Sequence, residues 1–460
     1  MIWSWARSVV GRGARAVREP RSYGRNRELF GLLPASLLLT AGLAAVFVQR
    51  SNSLSDASLI YGAIFLGLCV LGHLFIRVTL PHADPYMFPL VAVLACFGLV
   101  MVFSIYGATF ARQQAQWFVL GLVLFVGTIL VFRDYRKLEQ YRYLIVIASL
   151  ALLVLPRFFA PVNGAYLAVS VGPVSFQPTE FAKVGLVIFL ASYLRDTRQL
   201  LASGRRIMGI NLPPLKHLGP LLLLWGMAMV ILLLLHSIGS SIMFYGGLLA
   251  ILYVATSRVS FVVVGLLAFA VGAWYLSTHI AHIDSRVLAW EHPFNGTLYN
   301  EPGGSFQLAN AQFSMAQGGL FGSGFGRALL TVPGTHAAYL PAPGTDMVYA
   351  VITDELGLFG AAALLCVYLV LIARGFKAAI LARDSFSKLL ATGLSAILAL
   401  QIFVIVGGVT RVIPLTGVTL PFISYGGSSI LANFVLVALL LMVSDRARRP
   451  AGATVSLEHA

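Results

Sequence analysis

Residues 86–106 read YMFPLVAVLACFGLVMVFSIY, a run without one charged side chain. A helix needs roughly 20 apolar residues to cross a hydrocarbon core about 30 Å thick. Lipid offers the backbone no hydrogen-bond partners, so a helix, which satisfies its own, is the expected form. Similar apolar stretches recur at 30–48, 58–77, 115–132, 142–156, 179–194, 219–235, 239–256, 259–277, 347–373, 389–409 and 428–444. The reading is an all-α polytopic membrane protein with about twelve transmembrane helices. Composition agrees. Apolar types make up 58% and charged types 11% of the 460 residues, against roughly 45–50% and about 25% in a soluble domain. Mean hydropathy is +0.86. Soluble enzymes, coiled coils, disordered chains and disulfide scaffolds are excluded. Cys69, Cys96 and Cys366 all lie inside apolar runs and form no metal or disulfide pattern.

The net charge is +15. In a soluble protein that excess would suggest nucleic acid; in a membrane protein it reports cytoplasmic loops and anionic lipid. Position decides for the second. Of 32 Lys and Arg residues, 25 fall on the side that carries both ends of the chain. Arg50, Arg112, Arg157, Arg286, Arg327 and Arg411 fall on the other, and Lys183 lies inside a span. Both termini are therefore expected in the cytoplasm, with no nucleic-acid partner. The turns near 236–239 and 257–258 are so short that the helices they join should be antiparallel neighbours. Ile2, Trp5 and Val9 can share one face of a short interfacial helix.

One long segment, 278–346, stands outside the spans on the outer side. It holds Trp290, Phe294, Phe306, Phe313, Phe321 and Phe325, too much apolar content for disorder, so it should pack on the membrane mouth. Long loops of this kind are commonly functional. The scarce carboxylates gather nearby: Asp284, Glu291, Glu301 and Asp346 in the loop, then Asp354 and Glu355 in the next span. Glu180 and Lys183 stand one turn apart at the start of a span, spaced for an ion pair on one helix face. Ionisable residues inside a membrane are functional candidates by default; the plainer alternative is a structural bridge between helices. GLFGSGFG (319–326) contains G-x-G, but no strand precedes it, so a dinucleotide site is dismissed in favour of tight turns. Asn295 begins a glycosylation sequon of little weight. The segment TRVIPLTGVTLPFISYGGSS (410–429) interrupts apolar sequence with Pro, Gly and small polar residues. Such backbone survives in a membrane only when buried in protein or lining a polar cavity, and Arg411 could meet an anionic head group there.

PLTGVTLPFISYGGSSILANF (414–434) resembles the signature of the SEDS family of RodA, FtsW and SpoVE proteins. FQPTEFAK (176–183), RVLAW (286–290), GGLFGSGFG (318–326) and TDMVYAVITDELGLFG (345–360) resemble family segments in the same order. ADPYMFPLVAVL (83–94), GGSFQL (303–308) and two extra N-terminal spans look most like the actinobacterial RodA-like branch. The resemblance divides the chain into a basic cytoplasmic tail (1–29), two extra helices (30–82), a ten-helix membrane domain (83–445) and a cytoplasmic tail (446–460). It implies a peptidoglycan glycosyltransferase in the bacterial cytoplasmic membrane. The enzyme would polymerise lipid II at the outer face, in elongation or division, beside a class B penicillin-binding transpeptidase.

The family's catalytic aspartate stands in a D-P-x-G-x-G-Y-Q motif, where this chain reads Asn300-Glu301-Pro302-Gly303-Gly304-Ser305-Phe306-Gln307. Asn300 takes the aspartate position without a gap and Glu301 with a one-residue gap. Glu301 is favoured, because only a carboxylate can accept the acceptor hydroxyl's proton. Ser237 in HSIGSS (236–241) stands where the family usually has an aspartate. The resemblance further implies substrate binding by Gln177, Glu180, Lys183, Arg286, Gln307, Asp346, Glu355, Arg411 and Ser424. Lys183, Arg286 or Arg411 would lie near the pyrophosphate. No protein-held metal is expected; a divalent cation, magnesium or manganese, is the one cofactor the chemistry admits. Two other readings stay open: a lipid II flippase, and a non-catalytic scaffold for a transpeptidase.

Overall fold

The computed structural model describes residues 21–51, 57–160, 166, 168–171, 174–202, 205–207, 210–212, 215–301, 304–332 and 338–450. The interfacial helix expected near residues 2–9 and the end of the C-terminal tail lie outside them. Fifteen helices are described. They are α1 (Arg21–Ser51), α2 (Ala57–Thr79), α3 (Met87–Tyr106), α4 (Ala108–Val131), α5 (Arg142–Val154), α6 (Thr179–Ala202), α7 (Leu215–Leu234) and α8 (Ile238–Thr256). There follow α9 (Val259–His279), α10 (Ala281–Glu291), α11 (Gly296–Asn300), α12 (Phe306–Gly318), α13 (Val348–Leu381), α14 (Ser385–Val409) and α15 (Gly427–Arg448).

Each of the twelve expected stretches falls on a helix, and nine described helices are long and apolar enough to cross a membrane. The other three are α5, α6 and α7. Helix α5 has 13 residues, α6 carries Glu180 and Lys183 near its start, and the apolar part of α7 is Gly219–Leu234. Helix α1 begins at Arg21, inside the stretch expected to be a tail. It is anchored there by Glu28, buried against His73 of α2 at 3.4 Å. Two short antiparallel hairpins were not expected: Val169–Val171 with Val174–Phe176, and Arg205–Ile207 with Ile210–Leu212. The first alternates Val, Ser and Phe, a period-2 pattern with β-branched residues too short to stand out in sequence.

Helices α3 and α15 are nearly all buried, whereas α9 has no buried residue and lies at the edge of the bundle, against α8. Phe434 of α15 lies at the centre. Its ring packs on Phe118 at 5.6 Å, Phe422 at 5.5 Å and Phe125 at 6.3 Å. Such aromatic pairs contribute about 0.5–1.5 kcal/mol each beyond the area they bury. Gly98 lets α3 touch the backbone of Phe422, whose carbonyl oxygen would lie 2.5 Å from a Cβ there. On the cytoplasmic side, buried Asp84 pairs with Arg374 of α13 at 3.6 Å and with Arg448 of α15. His82 N–H donates to Asp445 Oδ1 at 2.7 Å. The cytoplasmic end of the core is thereby tied.

The outer segment builds α10, α11 and α12. Asn295 caps α11, its Oδ1 accepting from Thr297 N at 2.9 Å and Leu298 N at 3.4 Å; that contact accounts for this asparagine structurally. Helix α13 is not one straight span. Gly357, at φ 68° and ψ −175°, breaks it, and the glycine-rich turn 319–326 fits into the break. Ser323 N donates to Asp354 O at 2.8 Å, Gly324 N to Glu355 O at 2.9 Å and Leu358 N to Gly319 O at 2.9 Å.

Gly322 has φ 85°, and a Cβ there would sit 2.2 Å from Glu355 O. Strain and backbone overlap together should cost Gly322→Ala about 3 kcal/mol. Thermal unfolding in detergent checks this, with Gly127→Ala as a control where nothing lies within 4 Å. Equal midpoints for the two variants would refute the role given to the break.

Candidate functional site

Three polar assemblies stand out, and two of them bond the 410–426 segment, at Thr419 and at Leu415. The first is inside the bundle. Lys183 of α6 is 1% exposed and Glu180 is 5% exposed. The Lys183 ammonium donates to Glu180 Oε2 at 2.6 Å, Gln401 Oε1 at 2.7 Å and Asn433 Oδ1 at 3.4 Å. An ammonium has three protons, so all its donors are used. The acceptors are themselves held: Gln401 Nε2 donates to Thr419 O at 2.9 Å, and Asn433 Nδ2 to Ser429 O at 2.8 Å. Gln177 enters through its backbone, N–H donating to Ser428 Oγ at 2.8 Å.

The second assembly is at the outer mouth. Arg286 of α10 donates from Nη1 to Leu415 O at 2.9 Å. Asp346, just before α13, lies against Gly417, where a Cβ would sit 3.3 Å from its Oδ2, and is near enough to feel the charge of Arg286. Burial pushes the Asp346 carboxyl up to about 6, against the opposing pull of Arg286 and Thr345. Burial likewise lowers Arg286, with Asp346 opposing. One turn earlier, the His282 ring lies 4.2 Å from that of His236. Burial, then His236 and Arg286, lower the His282 pKa and favour its neutral form.

The third assembly lies under the glycine-rich turn. Asp354 is fully buried. It accepts from Ser314 Oγ at 3.0 Å, Ser323 Oγ at 3.0 Å and Leu329 N at 3.3 Å. Glu355 Oε1 accepts from Ser104 Oγ at 2.5 Å and Gly326 N at 3.1 Å.

Arg286 and Asp346 are thus brought together, as are Glu180 and Lys183. Arg411 joins neither pair. At φ 63° it turns back to α10, donating from Nε to Trp290 O at 3.0 Å and from Nη2 to Glu291 O at 3.2 Å. Ser424 is a knot in the loop, donating to Thr345 O at 2.7 Å and accepting from Leu420 N at 2.8 Å. Glu301 is exposed at the end of α11, and Asn300 Nδ2 donates to Gly296 O at 2.8 Å. Gln307 stands half-buried in the first turn of α12. No contact among the described residues joins Glu301 to the other assemblies. Gln401, Asn433, Ser104, His236 and His282 escaped the sequence reading. A lone Gln and Asn inside apolar spans were the available signal for the first two.

Among the described residues no group of three or more His, Cys, Asp or Glu could hold a metal ion. The mouth supplies one carboxylate opposed by an arginine, a poor donor set for a divalent cation. A polar cleft of about 480 Å³ lies on the cytoplasmic side, lined by Arg136, Lys137, Glu139 and Arg195, away from all three assemblies.

Fold and site together define a polytopic membrane protein whose polar apparatus is assembled on the outer side of the bundle. The chain belongs to the FtsW/RodA/SpoVE family, described as "Cell cycle protein", whose model matches residues 85–449. It is 38% identical to "Peptidoglycan glycosyltransferase RodA" of Mycobacterium leprae, covering 94% of this chain and 93% of that one. It is 31% identical to "Stage V sporulation protein E" of Bacillus subtilis, covering 77% and 95%. One similar solved structure, titled "Structural coordination of polymerization and crosslinking by a peptidoglycan synthase complex", is 27% identical with TM-score 0.64. It covers 80% of this chain and 99% of its own. The crystal structure of Thermus thermophilus rod shape determining protein RodA is 28% identical with TM-score 0.56, covering 80% and 98%. The protein is a multi-pass protein of the bacterial cytoplasmic membrane.

Two expectations follow. Lys183→Ala leaves Glu180 buried without its cation and should cost about 3–5 kcal/mol. The pair Glu180→Gln with Lys183→Met should recover most of it, read by thermal unfolding; a double variant no better than the single one refutes a structural pairing. For Asp346, the folded value lies above its ordinary 3.8. Its contribution to stability is therefore full below about pH 4, falls between about 4 and 6, and is flat above. The ionised partner of Arg286 exists only above about 6. Activity should show an acid limb with a midpoint near 6 that Asp346→Asn removes. An unchanged limb in that variant assigns it elsewhere.

Proposed function

We propose that this chain is a peptidoglycan glycosyltransferase. It polymerises lipid II into glycan strands at the outer face of the cytoplasmic membrane, partnered by a class B penicillin-binding transpeptidase. The observation that carries the activity is the identity to mycobacterial proteins named for it, spread over nearly the whole chain. The partner is supported by the similar synthase complex, titled for polymerisation and crosslinking together. The geometry supports an outer-face site, since the 410–426 segment is bonded at Leu415 by Arg286 and at Thr419 by the Lys183 assembly.

Joining two sugars needs a base to take the acceptor 4-hydroxyl proton while C1 is attacked opposite the leaving pyrophosphate. The leaving group carries its own negative charge, so cations rather than an acid assist departure. In this proposal Glu301 is the base, with Asn300 as the alternative position. Its exposure on the outer segment leaves it free to meet a substrate. Of the three candidate cations, Arg286 is the best placed. The three donors of Lys183 are taken by protein oxygens, and two nitrogens of Arg411 hold backbone carbonyls. Arg286 spends one nitrogen on Leu415, and a guanidinium has five N–H donors.

With purified protein, its partner and labelled lipid II, Glu301→Gln should reduce glycan synthesis by about 100-fold or more, the usual scale for a general base. Restored or higher synthesis in Glu301→Gln/Asn300→Asp would move the base to position 300. Full activity in Glu301→Gln alone refutes the assignment. Movement of lipid II across liposomes without any polymer formed would favour the flippase reading.

A further inference from the structure

A groove of about 810 Å³ opens toward lipid between α1, α2 and α4, with α3 behind it. It lies outside the three polar assemblies, and two of its four helices precede the family match. Its floor is aromatic: Phe65 packs on Phe118 at 5.1 Å, and Phe47 on Phe103 at 4.8 Å. Ile64 on one wall and Val123 on the other are exposed rather than packed against each other. The volume is that of a pocket which accepts a ligand of moderate size.

The groove has a polarity. Its α4 wall runs from Ala108 to Val123, about 22 Å at 1.5 Å per residue, longer than one leaflet of roughly 15 Å. At its outer end stands Arg112, the one charged residue of the lining, at the start of the second turn of α4. Its side chain is exposed, and among the described residues it has no hydrogen-bond or ion-pair partner. Gln116 lies one turn below it in the lining. A cation at the outer end of an apolar slot at least one leaflet deep is complementary to a lipid with an anionic phosphate and a long hydrocarbon chain. An arginine cannot discharge itself by losing its proton, so it favours such a partner at headgroup depth.

The head end also adjoins the candidate site. Gln113, next to Arg112, accepts from Tyr425 Oη at 2.6 Å, and Gln114 Nε2 donates to Ser424 O at 3.1 Å. Neither glutamine lines the groove, so an anion held by Arg112 would lie at the level of the 410–426 segment but across α4 from it. Aromatic faces suit a methyl-branched, unsaturated chain, whose C–H groups pack on ring faces. We propose that this groove binds the polyisoprenyl tail of a pyrophosphate-linked lipid, with Arg112 on its phosphate, and that α1 and α2 form its outer wall. The inference rests on the glycosyltransferase reading for its choice of an isoprenoid over a phospholipid.

The test uses the full chain in nanodiscs of neutral phosphatidylcholine, with radiolabelled undecaprenyl phosphate as the probe and phosphatidylglycerol as competitor. Wild type should retain the probe against excess phosphatidylglycerol. Ala115→Trp, which fills the groove, should abolish retention. Arg112→Ala should weaken it about tenfold or more, as expected for a lost charge-assisted contact. Val271→Trp on the lipid face of α9 should change nothing, and circular dichroism should show all variants folded. Unchanged retention in Ala115→Trp and Arg112→Ala overturns the proposal, as does ready displacement by phosphatidylglycerol. Glycan synthesis measured in parallel separates the two readings. Wild-type polymer with retention insensitive to the groove variants sinks the groove alone. Groove-dependent retention with no polymer sinks the activity and leaves the lipid site standing.

Discussion

The buried ammonium of Lys183 is the contact on which the outer half of the structure depends. Taking an ammonium out of water costs several kcal/mol unless partners replace its hydration. Here the replacement comes from three different helices: Glu180 on α6, Gln401 on α14 and Asn433 on α15. Gln401 and Asn433 then bond Thr419 and Ser429, so the irregular segment between α14 and α15 inherits its position from the same charge. Irregular backbone inside a membrane protein is tolerable only when its polar groups are met in this way. The packing of Phe422 and Gly98 closes the other side of the segment.

The carboxylates divide by what they are asked to do. Asp354 and Glu355 are buried and bound by hydroxyls and backbone N–H groups of the turn they carry. Asp84 and Asp445 are buried on the cytoplasmic side, where Arg374, Arg448 and Arg449 answer them. These groups are architectural. Asp346 is intermediate, packed against Gly417 within the electrostatic reach of Arg286, with its carboxyl raised by burial. Glu301 alone among the motif carboxylates stands exposed at a helix end. Strong internal bonding and availability to substrate are opposed demands on a carboxylate, and the chain meets them with different residues.

Much of this was legible beforehand. The apolar runs marked every long helix, because hydrocarbon thickness imposes a length on apolar sequence. Arg286 and Asp346 were both singled out, and the fold brings them within electrostatic reach of each other. Glu180 and Lys183 were read as a one-turn pair, and they pair. Arg411 was read as a ligand for an anion, yet it straps the loop to α10; Trp290 stands 121 positions away along the chain, so spacing carries no trace of the contact. The break at Gly357 was invisible because a glycine inside an apolar run reads as an ordinary span until another backbone lies against it. Asn295 shows the same limit: a sequon and a helix cap have identical letters.

By itself the sequence determined that this is a helical membrane protein with its positive charge on the cytoplasmic side and its long segment on the other. It also determined the family, through the ordered segments around 176–183, 318–326, 345–360 and 414–434. Those are properties of composition, local period and short spacing. The tertiary structure alone decided which polar residues share a site. Gln401 stands 218 positions from Lys183 and Ser104 stands 251 from Glu355, and only packing, which lets buried polar atoms find partners regardless of distance along the chain, brings them together.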